Sequence, residues 1–263
     1  MSRTYELIEV GHDGDFATVT MNSPRRRNAL SLRHMQELTD AFRALGESPA
    51  RGITLAAHGP VFSAGHDFAD MVGRDLVAMR ELLRTCTVLM DTIQGIPQPV
   101  LARVHGLATA AGCQLVATCD LAVASTEAAF ATPGGKGGWF CTTPMVAIGR
   151  NVGRKRALEM ALTGETIDAA TAADWGLVNR VVPPDRLVAE SRRLLEAATR
   201  GSQLSKAIGK QALYAQLELP QPQAYVYASE VMAAASQIPD AQEGMRAFLE
   251  KRSANFPPPS QRR

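Results

Sequence analysis

The sequence predicts an α/β fold. Three observations carry this. Short strands and helix-patterned segments alternate as far as residue 183. Most of those strands are continuous apolar runs, as expected of strands covered on both faces. Beyond about residue 184 the chain reads as helix throughout.

The elements follow in order. Residues 15–22, DFATVTMN, alternate with Ala17, Val19 and Met21 on one side, a half-buried strand. The loop SPRRRNALS leads to Ser31, which is placed to cap a helix; its Met35, Leu38, Phe42 and Leu45 step by three and four. Residues 52–59, GITLAAHG, form a buried strand, and VFSAGHDF is a turn. A long helix fills 74–95 and stops at Gly95 and Pro97. Residues 99–106, PVLARVHG, are the next buried strand, followed directly by a helix that carries Gln114 in its first turn. LAVAS and AAFATP are short strands. GRKRALEMALTG is a helix closed by Gly164. Thr166 is expected to cap the helix IDAATAADWG, and LVNRVVP is one more strand. Asp240 and Glu243 have capping-box spacing, and the Pro257–Pro259 tail is expected to fray.

Composition excludes several classes. With 46% hydrophobic residues, 21% charged residues and a net charge of +2, the chain has no field for nucleic acid or anionic membrane. No apolar run reaches the ~18 residues of a membrane helix. The start, MSRTYELIEV, lacks an apolar signal region, so neither a secretory signal nor a transit peptide is expected, and the expected location is cytoplasmic. Cys86, Cys113, Cys119 and Cys141 form no CxxC pair and are expected as reduced thiols. The five histidines have no metal-binding spacing. A doubly wound nucleotide sheet is the default for this element order. Yet no GxGxxG follows the first strand, GxxxxGK[ST] is absent, GGKGGW (134–139) has neither spacing, and no GxSxG is present.

Two strand-to-helix turns combine small residues: Ser63-Ala64-Gly65-His66 and Ala110-Ala111-Gly112. Small side chains let another group approach the backbone closely. A backbone N–H at a helix start carries positive partial charge. Two such groups aimed at one oxygen make an oxyanion hole. From local pattern alone, both could equally be tight packing turns.

The order of longer motifs decides between these. NSPRRRNALS, VFSAGHDF, PVLARVHGLATAAGCQLVATCDLAVAS, FATP, ALEMALTGETIDAATAADWGLVNRVVP and FLEKRSANF resemble the crotonase (enoyl-CoA hydratase/isomerase) superfamily, from about residue 5 to residue 256. The resemblance implies a crotonase-type ββα spiral over residues 1–200 and a C-terminal helical trimerisation region over 201–263. It implies an acyl-CoA thioester as ligand, with coenzyme A arriving as part of the substrate and no cofactor bound permanently. It implies a homotrimer or a dimer of trimers. By position, the backbone N–H groups of His66 and Ala111 are the oxyanion hole. Ala64, Asp67 and Phe68 match the stretch lining the adenine pocket. Arg25 and Arg27 stand where the first loop meets pantetheine and phosphates. Phe248 and Lys251 match residues that reach the nucleotide of a neighbouring subunit.

The chain departs from the hydratase pattern at both glutamates. Their positions are Gln114 and Gly134. An amide does not titrate, so Gln114 can orient a substrate but cannot shuttle protons. Ordinary hydration is therefore expected to be very slow. Installing both carboxylates, Gln114→Glu with Gly134→Glu, is expected to raise it more than the product of the two single changes, because the pair works as a unit. The SAGHD turn also resembles the decarboxylases of the superfamily, where His66 could act. Trp139 and Phe140 are expected to wall the acyl pocket, with Cys141 and Lys136 in the same loop. An acyl-CoA enzyme, a CoA-thioester binder without turnover and a scaffold with a vestigial pocket all remain compatible with the sequence.

Overall fold

The computed structural model describes residues 4–256. In chain order it contains β1 (Ile8–Asp13), β2 (Phe16–Met21), α1 (Leu32–Gly46), β3 (Gly52–Ala57), β4 (Val61–Ser63), α2 (Leu76–Gly95), β5 (Val100–Val104), β6 (Leu107–Thr109), α3 (Ala111–Thr118), β7 (Leu121–Ser125) and β8 (Ala129–Ala131). There follow α4 (Pro144–Val152), α5 (Arg154–Thr163), β9 (Ile167–Asp168), α6 (Ala169–Asp174), β10 (Arg180–Val182), α7 (Leu187–Thr199), α8 (Gln203–Leu217), α9 (Gln221–Ala235) and α10 (Pro239–Leu249).

Two sheets run through the molecule. One has the order β1-β2-β3-β5-β7-β10 and the other β4-β6-β8-β9. Each turn of chain lays one strand on each sheet: β3 then β4, β5 then β6, β7 then β8. The turns stack in parallel, β3 on β5 on β7 and β4 on β6 on β8. This is the expected ββα spiral. Among the described residues only β1 against β2 and β9 against β8 pair antiparallel.

The sequence pattern explains the packing. Ser31 caps α1 by accepting from the His34 N–H at 3.1 Å. Met35, Leu38, Phe42 and Leu45 of that helix are buried in the main core with Val19, Met21 and Leu55. The opposite face of the larger sheet, through Leu101 and Val123, is covered by Leu187 and Leu195 of α7. Among the described residues no helix is long and apolar enough to cross a membrane.

Some expectations need correction. Thr166 does not cap α6; Asp168 does, accepting from the Thr171 N–H at 2.8 Å. The reason is that Ile167 and Asp168 first pair with Phe130 and Ala129. Asp240 and Glu243 form no capping box: Asp240 accepts from Ser202, and Glu243 is held by Arg252 and the Asn255 N–H. The strands β1, β4, β6 and β9 and the helix α4 are additions to the sequence reading; Val61–Ser63, expected as part of a turn, is a strand because it pairs in parallel with β6. The Pro257–Pro259 tail lies outside the described residues.

Candidate active site

The two small-residue turns meet. They leave neighbouring parallel strands, with Val61 beside Leu107 and Ser63 beside Ala108. A Cβ on Gly65 would stand 2.9 Å from the Thr109 carbonyl oxygen and 3.1 Å from the Ala111 nitrogen. A Cβ on Gly112 would stand 2.5 Å from the Ser63 carbonyl oxygen. Both glycines are thus required by contact between the turns. Gly65 also has φ +83°, a region that L side chains rarely adopt.

Hydrogen bonds fix the backbone on either side of two amides. The Leu30 N–H donates to the Gly65 carbonyl at 2.7 Å, and the Asp67 N–H donates to the Leu30 carbonyl at 3.3 Å. The Ala110 N–H donates to the Ala131 carbonyl at 2.9 Å. Ser63 Oγ donates to the Asn28 carbonyl at 2.8 Å. The amides between these anchors, those of His66 and Ala111, have no acceptor among the described residues. Ala111 opens α3, where such an N–H is left over by helix geometry. Ala110 before it is held at φ 50°, ψ −119° without being glycine. Such strain costs on the order of 1–3 kcal/mol and is typical of functional turns.

Beside these turns lies a cavity of about 740 Å³, walled by Leu83, Trp139, Phe140 and Pro144 among others. Ala64, His66, Phe68 and Ala111 all line it. The His66 ring stands 6.4 Å from the Trp139 ring, centroid to centroid. Both ring nitrogens are buried without a hydrogen-bond partner. Burial lowers the His66 pKa, which favours the neutral ring.

The remaining residues expected at the site fall elsewhere. Gln114 does not line the cavity; its Oε1 lies 3.9 Å from Cys86 Sγ on α2, and the residue is only 5% exposed. Asp67 is a buried turn residue, accepting from Ala69 N–H at 3.0 Å and paired with Arg26 at 2.6 Å. Arg25 and Arg27 are exposed, with no ion pair among the described residues. Phe248 and Lys251 are exposed at the end of α10, away from this chain's own cavity wall. Sequence reasoning missed Arg26, Thr109 and Leu83. Nothing in a run of three arginines tells which one pairs with Asp67, and Thr109 sits on a strand too short to read.

Gly134 owes its identity to space. A Cβ there would meet the Trp139 carbonyl oxygen at 2.2 Å and Cys141 Sγ at 2.7 Å. The Cys141 thiol is buried and lines the cavity, and burial raises its pKa.

A stacked ββα spiral whose two small-residue turns meet beside an apolar cavity defines a crotonase-type protein. A family model described as enoyl-CoA hydratase/isomerase matches residues 12–259, and the chain belongs to this family. It is 46% identical over 238 residues to mouse "Enoyl-CoA hydratase domain-containing protein 3, mitochondrial", covering 89% of this chain and 79% of that one. The crystal structure of human enoyl coenzyme A hydratase domain-containing protein 3 superposes with a TM-score of 0.91 at 39% identity, covering 95% of this chain and 100% of that one. A crystal structure of enoyl-CoA hydratase from Mycobacterium smegmatis gives a TM-score of 0.92 at 44% identity, covering 95% and 99%. The vertebrate relatives are named as mitochondrial, which overturns the cytoplasmic location expected from the N-terminal residues.

Proposed function

We propose that this protein processes acyl-CoA thioesters by stabilising a thioester enolate in a backbone oxyanion hole. The observation that carries the reading is the pair of unpartnered amides, His66 and Ala111, beside one apolar cavity. The thioester oxygen accepts from both N–H groups, and the bonds strengthen as negative charge gathers on it. The acyl chain lies against Trp139, Phe140 and Leu83. Coenzyme A is part of the substrate, with Ala64 and Phe68 near its adenine and the exposed Arg25 and Arg27 near its phosphates. Asp67 contributes by bracing this turn through Arg26. Phe248 and Lys251 serve the nucleotide bound to a neighbouring copy in a threefold assembly.

Ordinary hydration is not part of the proposal. Water addition by a positioned acid–base pair needs titrating groups on the wall. No carboxylate lines the cavity among the described residues. The fitting activities are those that need the hole and a neutral imidazole at most, such as decarboxylation of the thioester.

The test has two stages. Calorimetric titration with CoA and a panel of acyl-CoAs should give saturable binding, tighter for the thioesters. In whichever thioester is turned over, Ala111→Pro removes the N–H and should slow the reaction ~100–1000-fold in folded protein. Absence of binding to every acyl-CoA refutes the reading. Binding with no turnover makes the protein a CoA-thioester binder.

A further inference from the structure

Helix α10 ends in a turn that glycine would make at less cost. The Arg252 N–H donates to the Ala247 carbonyl at 3.0 Å and the Lys251 N–H to the Phe248 carbonyl at 3.2 Å, which closes the helix in the Schellman pattern. That pattern puts Lys251 at φ 55°, in the left-handed region. Gly164 holds the same place after α5, at φ 60°. A lysine kept there is strained, and such strain is characteristic of positions where the side chain serves a function. The Lys251 side chain is exposed and has no ion pair among the described residues. Phe248, three residues earlier, is 83% exposed, so the turn displays a ring and a cation together.

A clasp holds this turn. The two Glu243 carboxylate oxygens accept from Arg252 Nη1 and Nη2 at 2.6 and 2.9 Å, a bidentate fork. Glu243 Oε1 also accepts from the Asn255 N–H at 2.9 Å, and Arg252 Nε donates to Glu250 at 2.5 Å. The Phe256 ring closes the segment against Gly201 and Gly244. The Arg252 guanidinium, then the Asn255 N–H, hold the Glu243 carboxyl down at about 2, so the clasp is charged at neutral pH. Arg252 is 42% exposed, and ion pairs as open as this contribute little to overall stability. The effect of the clasp is local: it fixes the chain from Glu250 to Asn255 against α10.

We propose that Glu243 is a positioning residue for the nucleotide end of coenzyme A: with Arg252 it holds the turn after α10 so that the Lys251 ammonium meets a nucleotide phosphate while Phe248 offers its ring to the base. A cation fixed before its ligand arrives loses less freedom on binding. The strained backbone of Lys251 is then the cost of aiming its side chain, and the clasp offsets that cost. The proposal rests on the reading above that Phe248 and Lys251 serve the nucleotide bound to a neighbouring copy.

The experiment titrates the full chain calorimetrically with acetyl-CoA and with S-acetyl-pantetheine, which lacks the nucleotide. Glu243→Gln keeps the shape of the side chain and removes its charge. It should weaken acetyl-CoA binding about fivefold and leave S-acetyl-pantetheine unchanged. Arg252→Lys keeps the charge and loses the fork; it too should weaken acetyl-CoA alone. Lys251→Ala should weaken acetyl-CoA at least as much. Adding Glu243→Gln to Lys251→Ala should then cost nothing further, because the clasp acts through Lys251. Circular dichroism and light scattering check that each variant keeps the fold and mass of the wild type. Three outcomes overturn the proposal alone: wild-type affinity for acetyl-CoA in Glu243→Gln, equal weakening of both ligands, or a loss that adds to that of Lys251→Ala. Wild-type affinity in Lys251→Ala overturns the nucleotide role of the turn and this proposal with it. Failure of the wild type to bind any CoA thioester overturns the acyl-CoA reading as well.

Discussion

Gly134 is not at positive φ, so its constraint is contact rather than backbone conformation. A glutamate at this position would drive Cβ to 2.2 Å from a main-chain oxygen that cannot swing aside. Installing the hydratase acid pair in this chain therefore fails at residue 134. Gly134→Ala should already lower stability by ~1–3 kcal/mol, and Gly134→Glu by at least as much, with no gain in crotonyl-CoA hydration. Urea unfolding and loss of the enoyl thioester absorbance measure the two effects. His34 and His66 yield a second expectation at this scale. Burial lowers both pKa values in the folded chain. The unfolded chain then binds more protons than the folded one as pH drops below the ordinary histidine value of ~6.5. Stability is complete above that value. Below it, each group should remove up to ~1.4 kcal/mol per pH unit until the folded-state pKa is reached. Urea midpoints measured downward from pH 7 should show this slope, and His66→Phe should shallow it; an unchanged slope would mean that the ring is charged in the folded protein.

At the scale of elements, a nearly buried polar cluster helps tie the C-terminal helices to the spiral. Asp120, after α3, accepts from the Val100 N–H at 2.7 Å, from Tyr214 Oη at 2.7 Å and from Lys210 Nζ at 2.8 Å. Lys210 also donates to the Ile93 and Gln98 carbonyls. Lys210 and Asp120 are nearly buried, so removing one strands the other. Lys210→Ala should cost ~3–5 kcal/mol by urea unfolding; a loss under 1 kcal/mol would make the pair an exposed one in effect. Much of this architecture was legible beforehand. Helix α1 announced itself by its period and by Ser31, and the apolar runs of β3, β5 and β7 by their length. The strands β6 and β9 have three and two residues, too few to display a period. Helix α4, PMVAIGRNV, carries a proline and a glycine that mask its pattern. Every residue of α3 is buried, so no polar face marks which side meets a ligand. For that reason the position of Gln114 in the first turn was readable and its direction toward α2 was not. The convergence of the two small-residue turns was readable only through the family motifs, because the turns are 44 or more positions apart and each turn alone looks like packing.

At the scale of the molecule, α8 and α9 leave a broad apolar face uncovered. Leu213, Leu217, Tyr225 and Met232 are each more than half exposed. Exposed apolar faces of this size commonly mark association sites, and closed symmetry would cover this one without leaving a free copy of the patch. Light scattering at micromolar protein should give three or six times the chain mass; a monomer would refute the threefold assembly. Substituting Leu217 and Met232 together by Glu should lower that mass without unfolding α1–α7, as read by circular dichroism. The placement of the two tryptophans has an optical consequence. Trp139 stands in the cavity wall near His66 and is 45% exposed, whereas Trp175 lies under the Arg156 guanidinium, 5.6 Å away. The emission of this protein is therefore split between one indole that a ligand can dehydrate and one that it does not touch. A Trp175→Phe chain becomes a single-fluorophore sensor, in which the colour of the remaining emission reads out cavity occupancy by acyl chains that are never turned over.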